Sequence, residues 1–253
     1  MGRNPKKKGE SCKSRLGYGL HVIEGYLREK PQEIQMLYLL PSFRGTAIEA
    51  LAKQAKVPLR YESSRFFSSL ADGAVHQGIA AELAPFPYVP LQVILQNKAD
   101  LLLVLDEVVD PRNLGALIRV AEAVGVGGVV LTKDRSAPLS SIAEKAAVGA
   151  SVYVPISRVE NLARALKEVK EAGYWVMGLA PDARQSLYDI DAPGKVAILL
   201  GGEGKGLRAL SRKMCDFLVA LPMQGKIQSL NVAAAGAVTL YELLRRTLQK
   251  NKY

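Results

Sequence analysis

The stretch Leu101-Leu-Leu-Val-Leu-Asp-Glu-Val-Val-Asp-Pro-Arg-Asn-Leu-Gly-Ala-Leu-Ile-Arg119 sets the fold class. Its first five residues are apolar without a break, which suits a strand covered on both faces. A Pro-containing turn follows, and the apolar spacing then becomes that of a helix over 114–124. Asn113 stands where an N-cap would, and Arg119 falls within the next two turns. Toward the C-terminus the alternation continues, with strands expected at 128–131, 152–156, 175–179, 196–200 and 217–221. Helices are expected over 142–148, 159–172 and 231–248. Alternation with short connections implies a mostly parallel sheet covered by helices.

Toward the N-terminus lies Ala84-Pro-Phe-Pro-Tyr-Val-Pro90, whose three prolines disfavour helix and cannot serve a central ladder. Upstream of it a helix at 18–29, strands at 34–40, 59–62 and 77–83, a helix at 46–56 and a helical turn at 65–70 form a second, smaller α/β pattern. The expected organisation is a basic arm at 1–16, a small domain at 17–85, a linker at 86–99 and a larger α/β domain at 100–253.

A hydrophobic content of 49% in 253 residues excludes disorder throughout. Lys and Arg outnumber Asp and Glu by 34 to 24, and half of the net +10 sits in the first fifteen positions, in Arg3, Lys6, Lys7, Lys8, Lys13 and Arg15 against Glu10. Such an arm is either a phosphate-seeking tail or a solubilising leader. Cys12 and Cys215 lie far apart, and His21 and His76 are the only histidines, so neither a disulfide framework nor a metal spacing is present. No apolar run approaches a membrane span, and the first residues lack the apolar core of a signal peptide. The expectation is a cytoplasmic protein with reduced thiols and no metal.

Ligands of parallel sheets sit beyond the carboxyl ends of strands, so three segments after strands matter most. The first is the turn and helix holding Asn113 and Arg119; alone it is a capped helix with a solvated arginine. In the second, Ile198-Leu-Leu-Gly-Gly-Glu-Gly-Lys-Gly-Leu207, an apolar strand runs into four glycines that bracket Glu203. It matches neither the dinucleotide nor the P-loop pattern, and alone it is a tight turn. The third runs from Leu221-Pro-Met-Gln-Gly-Lys-Ile-Gln-Ser-Leu-Asn231 into the small-residue helix that carries Leu240-Tyr-Glu242. There Ser229 and Asn231 are candidate caps and the alanines candidate packing residues.

In this order, N-x-G-A-x-x-R, G-x-E-x-x-G-L and P-x(6)-S-L-N-V before a small-residue helix resemble the SpoU family of RNA ribose methyltransferases, from residue 100 to the C-terminus. Gly202 stands where many members have Ser or Ala, and Ala233 where a second Ser is common. Gly17-Tyr-Gly-Leu-His-Val-Ile-Glu24 and Asp72-Gly-Ala-Val-His-Gln-Gly-Ile79 resemble the small RNA-binding domain, similar in fold to a ribosomal protein, of members that methylate a guanosine ribose in large-subunit (23S) rRNA. His76 is read as a local hydrogen-bonding residue in preference to an RNA contact.

The resemblance implies a small α/β RNA-binding domain followed by a mostly parallel α/β domain with a deep C-terminal trefoil knot. It also implies homodimers through the knotted domain, with Tyr241, Leu244 and the Ala-rich face of the last helix as contributors. S-adenosylmethionine would meet the backbone at Gly201, Leu221 and Leu230. Arg119 would bind phosphate or ribose oxygens and stabilise alkoxide character, Asn113 and Asn231 would hold Arg119 and the ribose, Glu203 would accept donors within the motif, and Ser229 would complete the polar rim. The alternatives are a tRNA ribose methyltransferase and a non-catalytic rRNA-binding or ribosome-assembly factor.

Overall fold

The apolar run beginning at Leu101 forms β5 (Leu101–Asp106), an interior strand of a seven-stranded sheet. The computed structural model describes residues 14–70, 76–97, 99–191 and 194–250; most of the basic arm, and the part of the upstream motif at 72–75, lie outside them. The other strands of this sheet are β6 (Val129–Thr132), β7 (Ile156–Val159), β8 (Trp175–Leu179), β9 (Gln185–Ser186), β10 (Val196–Gly201) and β11 (Phe217–Ala220). Their order is β7-β6-β5-β10-β8-β11-β9, and every pairing is parallel.

Side chains on β5 alternate between two cores. Leu103 and Leu105 pack with α5 (Pro111–Val124), α6 (Ser141–Ala147) and α9 (Val232–Lys250). Leu102 and Val104 face α4 (Leu91–Gln96) and α7 (Leu162–Glu171), with α8 (Ala209–Met214) on the same side. Burial on both faces is the physical reason the run lacks polar residues.

A second sheet, of order β1-β4-β2-β3, is built from β1 (Arg15–Tyr18), β2 (Ile34–Leu39), β3 (Leu59–Tyr61) and β4 (Ile79–Leu83). Only β2 and β3 pair in parallel. Helices α1 (Leu20–Glu29), α2 (Ala47–Gln54) and α3 (Ser64–Leu70) accompany it.

Several expected elements are displaced. The helix expected from residue 18 begins at Leu20, because residues 15–18 pair with β4 as a strand and Gly19 turns the chain at φ 96°. The strand expected at 152–156 is a 3-10 turn at 150–152, with β7 starting only after Pro155, which has no N–H for the ladder. Helix α5 starts three residues earlier than expected, and its cap is Asp110, which accepts from the Arg112 N–H at 2.8 Å with Pro111 in the first turn. Asn113 is therefore inside the helix with its side chain released for other partners. Within the linker expected at 86–99, α4 buries Leu91 and Ile94, and the Val89 N–H bonds to the Ile156 carbonyl, so this stretch is packed against the larger sheet.

Arg15, counted above with the arm, is a partly buried residue of β1. Its guanidinium pairs with Glu144 of α6, donates to the Tyr26 hydroxyl at 2.7 Å and to the Ala84 carbonyl at 2.8 Å, and lies 3.5 Å from Glu33. Tyr26 in turn donates to Glu144 at 2.7 Å. Val152, from the larger half, joins the core of the smaller sheet, and a Cβ at Gly149 would come within 2.9 Å of the His21 carbonyl. The two halves are thus docked through a shared apolar contact and one buried ionic cluster. His76 accepts from the Gly78 N–H at 3.0 Å and stacks on Phe67, a local structural role.

Candidate active site

The carboxyl ends of β5, β10 and β11 bring the three sequence segments together. Glu203, in the turn after β10, accepts from the Asn113 side-chain amide at 2.7 Å and from the Val109 N–H at 3.3 Å. Asn113 accepts from the Asn231 amide at 3.0 Å. Asn231 caps α9, its side-chain oxygen accepting from Ala233 N–H at 2.8 Å and Ala234 N–H at 3.4 Å. One hydrogen-bonded chain therefore runs from the glycine turn through α5 to the start of α9. Ser229 makes no hydrogen bond to another described residue; the capping role falls to Asn231 alone.

The glycines have separate reasons. Residues 202 and 206 bridge, and Gly204 and Gly206 hold φ of 83° and 63°, so the turn folds back on itself in a conformation that side chains resist. A Cβ at Gly202 would lie 2.1 Å from the Glu107 carbonyl oxygen, which leaves no room for a Ser or Ala there without movement of one of the two loops.

Beside this chain lies a cavity of about 170 Å³ lined by Gly201, Leu221, Leu230 and Ser229, with Leu179 and Pro181 across from them. Its walls are mainly aliphatic side chains and strand-end backbone, a donor set suited to an organic ligand with a flat apolar ring and polar edges. Among the described residues no group of His, Cys, Asp and Glu could hold a metal ion. Nor is any described helix long and apolar enough to cross a membrane.

Arg119 is absent from this constellation. Six positions beyond Asn113, it points about 120° around the helix and lies roughly 9 Å along it. It is exposed with no hydrogen-bond or ion-pair partner among the described residues. Asn113 and Asn231 hold each other and do not hold Arg119, because release of Asn113 from capping leaves it facing Glu203 and α9.

The model described as the SpoU rRNA Methylase family matches residues 100–241. The chain belongs to the SpoU rRNA methylase family. A further model, RNA 2′-O ribose methyltransferase substrate binding, matches residues 17–89. This SpoU chain is 40% identical over 237 residues to the 23S rRNA (guanosine-2′-O-)-methyltransferase RlmB of Pseudomonas aeruginosa, covering 90% of this chain and 95% of that one. Its identity to the RlmB of Escherichia coli is 38% over 241 residues, covering 92% and 99%. The solved structure of an AdoMet-bound rRNA methyltransferase from Sinorhizobium meliloti superposes with a TM-score of 0.79 at 26% identity, covering 93% of this chain and 88% of that one.

Sequence reasoning about the SpoU site missed Leu179, Ala180, Pro181 and Gln228, which also line the cavity. The first three directly follow or end β8, so the strand-end rule that located the other segments applies to them too. It also missed Asp106, a buried carboxylate at the end of β5 that accepts from Ser211 at 2.5 Å and from Arg208 at 3.1 Å. An acid closing an otherwise apolar strand was the available signal.

Proposed function

We propose that the chain methylates the 2′-hydroxyl of a guanosine ribose in large-subunit (23S) rRNA with S-adenosylmethionine as donor. The observation that carries this is the hydrogen-bonded chain Glu203–Asn113–Asn231 standing beside the cavity lined by Gly201, Leu221 and Leu230. The names of the relatives supply the substrate class. The apolar walls and strand-end backbone fit the cofactor, and Leu179, Leu221 and Leu230 are the residues that would hold its ring. When bound, S-adenosylmethionine supplies a methyl group already activated on a sulfonium.

The protein has then to place a poorly nucleophilic hydroxyl and favour the charge that grows on it. Asn113 and Asn231 are fixed in orientation by Glu203 and the α9 backbone, so they present a rigid polar edge beside the cavity. Ser229, unpartnered on the rim, is available to the ribose. Arg119 keeps its charge and its planar fork of donors, which suits phosphate or ribose oxygens and developing alkoxide character. Its position away from its own cavity supports action across a homodimer, in the cavity of a second copy. Val238, Tyr241 and Leu248, exposed along α9, support the same assembly with an apolar stripe.

The C-terminal trefoil knot belongs to the same reading. It is supported by the insertion of β10 between β5 and β8, and by the return of α9 from β11 to pack on α5. Residues 17–85 serve as the RNA-selecting domain, and the site is a cytoplasmic one that works without metal. Calorimetric titration of metal-stripped protein with S-adenosylmethionine tests the cofactor assignment. We expect saturation at one cofactor per chain, whereas binding that requires an added divalent ion would defeat it.

A further inference from the structure

The carboxyl edge of the large sheet carries a second cavity, of about 340 Å³, on the α7 and α8 face. It opens beyond β5, β6 and β7 and contains none of the motif residues. It adjoins the first site across a shared wall, because Gly202 abuts the Glu107 carbonyl. Its floor is aliphatic, formed by Leu162, Leu166 and Met214, and Leu210 stands at the rim with 61% of its surface exposed. Such surfaces accept the faces of a flat ring.

The polar groups at its mouth are complementary and partly unused. Glu107 receives Arg208 at 3.1 Å and Arg135 at 3.3 Å, both on Oε1, while Oε2 accepts no hydrogen bond from another described residue. Arg135 uses only Nη1 in that contact, and Asp134 makes no hydrogen bond or ion pair with another described residue. Glu107 and Arg135 also hold left-handed backbone, at φ 62° and 57°, a conformation costly for side-chain-bearing residues. Two of the five non-glycine residues with positive φ among the described residues therefore meet across one cavity. The buried Asp106 clamps Arg208 behind them.

We propose that this cavity binds a guanine nucleotide. Guanine presents N1–H and N2–H donors on one edge and O6 and N7 acceptors on another. A free carboxylate oxygen beside an arginine fork matches both edges, whereas adenine offers an acceptor at N1 where the carboxylate needs a donor. The nucleotide is either a guanosine of the RNA near the methylated position, which rests on the functional reading above, or a free guanine nucleotide.

Equilibrium dialysis of the full chain with GMP and with AMP, beside steady-state methylation of an rRNA fragment, tests the proposal. Ala163→Phe fills the cavity from the surface of α7, and Arg135→Ala removes the fork; neither residue belongs to the methyl-transfer site. We expect GMP to bind about tenfold more tightly than AMP, and both variants to weaken it by about tenfold or more. S-adenosylmethionine binding should be unchanged. A parallel rise in KM for the rRNA fragment at constant kcat assigns the guanine to RNA. Loss of GMP binding with an unaltered KM assigns it to a free nucleotide. The proposal is overturned if AMP binds as well as GMP, or if both variants leave GMP binding and the rRNA KM at wild-type values. If wild-type protein transfers no methyl group to rRNA, the functional reading fails while dialysis still decides the site.

Discussion

Single side chains in this protein earn their places through what each neighbour leaves free. Asp110 takes the cap of α5, so Asn113 can link Glu203 to Asn231. We expect Asn113→Ala to lower kcat/KM about 10- to 100-fold, as loss of a hydrogen bond to a charged group and of the ordering it imposes would do. A double-mutant cycle with Asn231→Ala should show strong non-additivity; additive losses would mean that the two act independently. Arg119→Lys keeps charge and loses the planar fork, and should lower turnover while leaving cofactor affinity intact. Away from the site, Glu242 is held at about 2, chiefly by hydrogen bonding to Arg245, with Arg246 adding to it against the cost of burial. A carboxyl lowered on folding stabilises fully above its unfolded value of 4.5, and that stability fades as pH falls toward 2. Glu242→Gln should therefore melt below wild type at pH 7, and the gap should close in acid; a gap constant from pH 7 to 2 would contradict this.

Elements pack where small residues let them. A Cβ at Gly115 would come within 2.2 Å of the Ala143 carbonyl, and one at Gly236 within 2.4 Å of Leu117, so α5 is pressed closely between α6 and α9. Gly115→Ala should cost about 1–3 kcal/mol by overpacking, measured by denaturant unfolding. The large sheet was legible in sequence because doubly buried strands are continuous apolar runs, and the site segments were legible because they follow those strands. Strand β1 was not, since its signal, Arg-Leu-Gly-Tyr, has no alternation and depends on pairing with the distant β4, where Arg15 lies opposite Leu83. Arg15 likewise looked like one more arm cation, and only tertiary structure supplies Glu144. Burial pushes the Glu144 carboxyl up, opposed by Arg15 and Tyr26. Breaking such a buried pair costs about 3–5 kcal/mol, so Arg15→Ala should destabilise the chain strongly and raise hydrogen exchange in β1 and α1.

At the scale of the molecule, the smaller sheet is docked on α6 by that cluster, so in the proposed reading it would hold RNA at a set position relative to the site instead of ranging on a tether. Removing the smaller sheet with its helices, residues 15–83, would strip Glu144 and Val152 of their partners, and the effect on rRNA methylation would be mixed with one on stability. Substitutions in place separate the two. The placement of Arg119, away from its own cavity, follows from helix phase once Asn113 is known to face Glu203 and α9, and in the proposed homodimer a second copy would give it meaning. Mixing Arg119→Ala with Asn113→Ala protein should restore part of the activity that each lacks, through dimers holding one intact composite site. The most direct measurement is a map of 2′-O-methyl groups on 23S rRNA incubated with S-adenosylmethionine and either wild-type or Arg119→Ala protein. A single guanosine methylated by the wild type and left unmethylated by the variant is the expected result. Absence of any new ribose methyl group in 23S rRNA, or an equal yield from Arg119→Ala, would contradict the assignment.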